Sequence, residues 1–306
     1  MIPERHDMMN GLDKVEKNAK SSKFFRLLND PISYCYAILF REVFYKLHKT
    51  PVLKTANTFF GKPMKVLLPS STDIFITGGK SHHSAIRLAQ YLIQNMPKDA
   101  VFVDVGAHYG YFTLLASILV GTKGHVYAFE PSPATFKILS INAQNQGNIS
   151  IVNKAVSNVR EDIIFFEFPN QYSEYNSMNN DQFKNQSWYS KNKPKEFTIA
   201  SEVLTDFLIS NQINAEFIKI DVEGNEHNVL KGLEGYLMDH SPIIIMEYLL
   251  NEQSHYADAE SSLKVMGYMP HIILDNGQAD IVTNVKEYME QCNSESDNIV
   301  FIRLNN

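Results

Sequence analysis

With 306 residues, 44% of them hydrophobic, the chain has enough material to bury one large domain plus an N-terminal extension. A formal net charge of −6 and a pI near 5.9 exclude a protein built around a polyanion, so no nucleic-acid partner is expected. Cys35 and Cys292 lie far apart without the spacing of a zinc or disulfide pair, and no apolar run approaches the roughly 18 to 20 residues of a membrane span. A cytoplasmic protein is expected.

Residues 1–90 read as a helical extension and lead-in, and 91–306 as the main domain. Between Lys14 and Lys54, Lys17, Lys20, Lys23, Arg26, Arg41, Lys46 and Lys49 alternate with Phe24, Phe25, Leu27, Ile38, Leu39 and Phe44. The pattern predicts two helices broken at Asp30-Pro31, because proline disfavours the helical conformation of the residue before it. Packed on the main domain, these helices are an ordinary extension; as a basic amphipathic surface they would rest on an anionic membrane.

After Pro97, strand-length apolar runs alternate with helical-period segments, which predicts a parallel sheet covered by helices. Strands are expected at 101–104, 125–130, 149–152, 217–221 and 243–247, and helices at 111–120, 134–143, 225–237 and 254–266. Runs at 163–168 and 196–200 predict a β-hairpin insertion spanning about 160–200 with a polar loop, followed by a helix near 203–210. Two last apolar runs, 268–274 and 299–304, have no helix expected between them and predict an antiparallel edge. The fold class is therefore α/β, Rossmann-like and doubly wound, with a mostly parallel sheet.

Chemistry concentrates at the strand ends. In VFVDVGAHYGYFTLLA, Gly106 and Gly110 let the backbone turn sharply after a buried strand, and the following helix offers unpaired amides. Asp104 closes the strand. Glu130 ends the next strand twenty residues after Gly110, where an acidic side chain in this architecture meets ribose hydroxyls. A dinucleotide fingerprint would need glycine where His108 and Tyr111 stand, and both side chains would crowd a pyrophosphate. A ligand without phosphates fits better, which favours S-adenosylmethionine. In FIKIDVEGNEHNVLKG, Asp221, Glu223 and His227 gather beyond a strand end, and PIIIMEY adds Glu247 on the same edge. Such a group can supply a general base for a hydroxyl, or hard oxygen ligands for a divalent cation. It can equally cap the following helix. No metal is assigned.

The three strings VFVDVGAHYGYFTLLA, VYAFEPSPATFKILSINAQNQ and FIKIDVEGNEHNVLKG, the last followed by PIIIMEY, together resemble the FkbM family of methyltransferases over Pro97 to Tyr248. The resemblance implies the class I methyltransferase fold with S-adenosylmethionine as cofactor. It carries Asp104, Gly106, Gly110 and Glu130 to the cofactor site, with the backbone at Ala155 beside the adenine; Ala107, His108, Pro131 and Asp221, next to these in sequence or on the same sheet edge, are further candidates for that site. It further implies O-methylation, on a sugar or a polyketide-like product. His108 departs from the family pattern, which often has Asn there. The leading expectation is a saccharide O-methyltransferase acting on a glycan or glycolipid acceptor. A methyltransferase of a small secondary metabolite and an inactive cofactor-binding scaffold are the alternatives.

Overall fold

The computed structural model describes residues 3–250 and 255–304. Its N-terminal part begins with α1 (Arg5–Lys20), α2 (Lys23–Asn29) and α3 (Pro31–Leu39). The chain runs from α3 through a π-helical turn (Phe40–Tyr45) into α4 (Lys46–His48) without leaving helical backbone. The expected break falls at Asp30, whose side chain accepts a hydrogen bond from the Ser33 amide and so starts α3. Helix nevertheless begins earlier, at Arg5, and a second break at Ser21 makes three segments of the expected two.

The lead-in is not wholly helical. An antiparallel hairpin of β1 (Val52–Asn57) and β2 (Pro63–Leu68) precedes α5 (Thr72–Thr77) and α6 (His83–Asn95). Its apolar residues follow the alternation of a half-buried strand, with Met64, Val66 and Leu68 fully inside. Nor does the core respect the boundary at residue 90. Met8, Leu12 and Val15 of α1 join one apolar cluster with α6 and the central sheet.

The sheet uses β3 (Val101–Val105), β4 (His125–Phe129) and β5 (Ile149–Val152), connected by α7 (Tyr111–Val120) and α8 (Pro133–Ala143). Every residue of α7 is buried, so this helix is apolar all round, not only on one stripe. The insertion follows as β6 (Ala155–Ser157), β7 (Asp162–Glu167), three short 3-10 turns and β8 (Lys195–Val203). The expected hairpin pairs β7 with β8 antiparallel, and β6 adds to β8 in parallel, giving a separate three-stranded sheet. Then come α9 (Leu204–Ser210), β9 (Phe217–Ile220), α10 (Glu226–Asp239), β10 (Ile243–Leu249) and α11 (Tyr256–Val265). Ser254, expected to open α11, lies outside the described residues. The chain closes with β11 (Tyr268–Ile273), β12 (Ala279–Ile281), α12 (Val285–Gln291) and β13 (Ser296–Arg303). The final pair of strands thus has a helix between them, against expectation.

The main sheet has the order β12-β11-β13-β10-β9-β3-β4-β5. β5, β4, β3, β9 and β10 are parallel, while β13 runs antiparallel between β10 and β11. This is the doubly wound arrangement of the class I methyltransferase fold. The order reverses between β3 and β9, and such a switch point opens a crevice at the carboxyl ends of the strands.

Candidate active site

At that crevice lies a cavity of about 1220 Å³. One end of it is shaped by the turn after β3. Gly106 has φ +82°, and a Cβ there would meet the Asp221 carbonyl oxygen at 1.8 Å. Only glycine allows the loops after β3 and β9 to approach this closely. The turn continues through Ala107 and His108, both on the cavity wall.

Glu130, just beyond β4, points back at this turn. One carboxylate oxygen accepts from the His108 amide and the other from the Ser132 amide, each at 2.9 Å. Each oxygen keeps a lone pair for a further donor. Burial pushes the Glu130 carboxyl up to about 8, against the pull of these amides. Pro131, Ala155, Val156 and Phe129 extend the wall beside it.

The other end is acidic and is crossed by lysines. Carboxylate oxygens of Asp221, Glu223 and Glu247 lie within 4.8 Å of one another. Buried Lys219, on β9, approaches Asp221 at 3.0 Å and Asp104 at 3.3 Å. Burial works against the charge of Asp221, yet Lys219, Lys80 and a hydrogen bond from Glu247 hold its carboxyl below the usual range. Burial and the neighbouring Asp221 charge push Glu223 and Glu247 well up. Within the cluster, negative charge is therefore favoured on Asp221 and the proton on Glu223 and Glu247. Lys80 enters from the loop before α6, and its nearest anion, Glu174 of the insertion, is 3.9 Å away. Coulomb attraction to Glu174 and Asp221 outweighs burial and keeps this amine charged.

The insertion adds aromatic residues to the lining of the same cavity. Trp188 and Tyr175 face the cavity with near-parallel rings 5.3 Å apart, and Tyr172 stacks on Trp188 at 4.2 Å. His108 Nε2 bonds Ser173 Oγ at 3.0 Å, and burial takes this imidazole down to about 3, so it is neutral.

Residues 104–271 match the family model described as the methyltransferase FkbM domain. The chain belongs to the FkbM methyltransferase family. Among curated relatives, it is 27% identical over 193 residues to Methyltransferase 1 of Beauveria bassiana, covering 58% of this chain and 76% of that one. It is also 27% identical over 168 residues to the hexuronic acid methyltransferase AglP of Haloferax volcanii, covering 54% of this chain and 62% of the relative. Among solved structures it is similar to the methyltransferase FkbM of Methylobacillus flagellatus, with TM-score 0.43, 14% identity and coverage of 76% and 52%. The chain thus spans well under the full length of two of these relatives.

Within the FkbM domain, the structure brings together Gly106, Ala107, His108, Glu130, Pro131, Ala155, Asp221, Glu223 and Glu247 around one cavity. Three expected residues are placed elsewhere. Asp104 stands behind the wall, fully buried, accepting from Thr113 Oγ1 at 2.6 Å and paired with Lys219. Gly110, with φ +88°, starts α7 and packs against Leu139 instead of lining the cavity. His227 lies beyond the cavity, its ring 5.9 Å from that of His255. The reason is helical geometry. Glu226, one residue earlier, is the side chain that turns inward, accepting from the Val222 and Gly224 amides at 3.0 Å each.

Lys219, Lys80, Glu174 and Trp188 were not anticipated. A lone lysine inside the apolar run FIKI was a usable signal, since a buried charge demands a partner. Nothing local marked the other three.

Proposed function

We propose that this chain is an S-adenosylmethionine-dependent O-methyltransferase whose acceptor is a saccharide hydroxyl. The observation that carries this reading is one cavity lined at one end by the Glu130 cradle and at the other by acids facing stacked aromatics. Carboxylates and flat rings are what a sugar presents partners for: hydroxyl donors at its rim and C–H groups on its faces. The name of the Haloferax relative, a hexuronic acid methyltransferase, points the same way.

The residues present fit the cofactor. Glu130 has free lone pairs for two ribose hydroxyls, His108 and Tyr111 stand where a pyrophosphate would need glycines, and the acids suit a cationic ligand. S-adenosylmethionine supplies a methyl carbon already activated by a sulfonium leaving group.

The chain's own work is then alignment and proton removal. Trp188 and Tyr175 hold the acceptor ring against the acids. Asp221, where the cluster's negative charge is favoured, would take the proton of the acceptor hydroxyl. A carboxylate with a lowered pKa suffices, because the hydroxyl becomes strongly acidic as its oxygen loses electron density. Lys219 is a positioning residue. It fixes Asp221 and neutralises Asp104 without reaching the acceptor.

The test is calorimetric titration with S-adenosylmethionine and S-adenosylhomocysteine, with NAD as control, followed by transfer of labelled methyl to saccharides and to small phenols. Binding of the first pair alone, with label appearing in saccharides, is the expected result. Label only in phenols would move the acceptor to a small secondary metabolite, and cofactor binding without transfer to any hydroxyl would favour the scaffold reading.

A further inference from the structure

The cavity does not account for a run of exposed apolar side chains along the N-terminal helices. Along the rod from α3 to α4, Ile32, Tyr36, Leu39, Val43 and Leu47 follow one another at spacings of four, three, four and four residues, and all five are exposed. That spacing places them on one helical stripe. Ile32 is 82% and Leu47 74% exposed, unusual for aliphatic side chains in a stripe. The same rod buries only Ala37 and Tyr45. The neighbouring α2 buries nothing and exposes Phe24, Phe25 and Leu28 as well.

Charge indicates what covers this face. Residues 14–54 carry nine Lys or Arg against three Asp or Glu, within a chain whose net charge is −6. The apolar stripe therefore sits in the basic region of an otherwise acidic protein. No helix of the described residues is long and apolar enough to cross a membrane. The rod itself carries Arg41, Glu42 and Lys46. Such a helix lies along an interface with its apolar side among acyl chains and its cations at the headgroups.

We propose that the face formed by α2, α3 and α4 docks on an anionic lipid bilayer. The acidic remainder of the chain is repelled by the same surface, so only this orientation is attractive. Docking there also brings the cavity near the membrane. The Tyr36 ring packs on Phe75 of α5 at 6.3 Å, and α5 supplies Thr72, Asp73 and Ile74 to the cavity wall. On the other side, Tyr45 Oη accepts from the Gln171 amide of the insertion at 3.2 Å.

The experiment is co-sedimentation of the full chain with vesicles of phosphatidylcholine alone and of phosphatidylcholine mixed with phosphatidylserine. The chain should pellet with the mixed vesicles and be released as salt rises. The I32S/L39S/L47S variant should partition on the order of 100-fold less, with S-adenosylmethionine affinity unchanged. K23E/K46E/K49E, which alters only exposed side chains, should lose the preference for phosphatidylserine. A wild-type chain that stays in the supernatant with both vesicles overturns the proposal. So does a dimer in the ultracentrifuge that I32S/L39S/L47S dissociates, since the face would then belong to a second copy. The vesicle result stands apart from the cofactor titration, whose failure would count against the methyltransferase reading alone.

Discussion

The two ends of the cavity are built in different ways. The Glu130 end comes mainly from one stretch of chain, β3 through β6, and its carboxylate is held by backbone amides two and twenty-two residues away. The acidic end is gathered from the loop before α6, the insertion, the loop after β9 and the end of β10, and it is held by side-chain charges. Backbone-built sites tolerate substitution around them. Charge-built sites depend on each member, because removing one leaves its buried partner uncompensated.

Substitutions at the two ends test this contrast. Asp221→Asn should lower turnover by roughly a thousandfold, the range of a lost general base, a larger effect than on S-adenosylmethionine binding; full turnover would place proton removal elsewhere. Lys219→Met should cost about 3 kcal/mol of stability in denaturant unfolding, since Asp104 and Asp221 would share a buried site without their cation. An unchanged midpoint would show that the pair is not what holds the acids in place.

At the cofactor end, Glu130→Gln should weaken S-adenosylmethionine binding by about 2 kcal/mol in calorimetry. The sign of its pH dependence follows from the carboxyl at about 8. A cationic ligand with ribose donors prefers the ionised form, so affinity should rise as pH increases through 8 and level off above it. The Gln variant should lose that slope, and an identical slope in both would assign it to another group. Trp188→Ala should raise KM for the acceptor roughly tenfold through lost ring stacking and leave cofactor affinity alone. The smallest effect is expected from a chelator. Lys219 and Lys80 already supply cations to Asp221, so activity should survive EDTA. Loss restored by a divalent ion would make Asp221, Glu223 and Glu247 metal ligands.

The same division governs what could be read from sequence. The sheet was legible because parallel strands buried on both faces are near-continuous apolar runs, and the glycine turn with Glu130 beside it because both sit at fixed offsets from strand ends. His227 was misassigned because proximity in sequence does not set direction on a helix: position 226 faces in and 227 does not. The hairpin of β1 and β2 was missed among flanking helices, and α12 was hidden in a polar stretch, VKEYMEQ, whose buried residues are Val285 and Met289. Lys80 and Trp188 acquire meaning only from tertiary contact, since neither lies in the motif that carries Asp221 and Glu223.

Gly106 has a mechanical consequence. With the Asp221 carbonyl where a Cβ would stand, the cofactor turn and the loop carrying the base are wedged together, and neither can swing without the other. The segment between β7 and β8 meets the Asp221 loop from the other side, through side chains. There Gln182 Nε2 and Ser177 Oγ hold the Glu223 carbonyl by single hydrogen bonds at 2.5 and 2.8 Å. A side chain at position 106 would therefore displace the Asp221 loop, and with it a contact of the insertion.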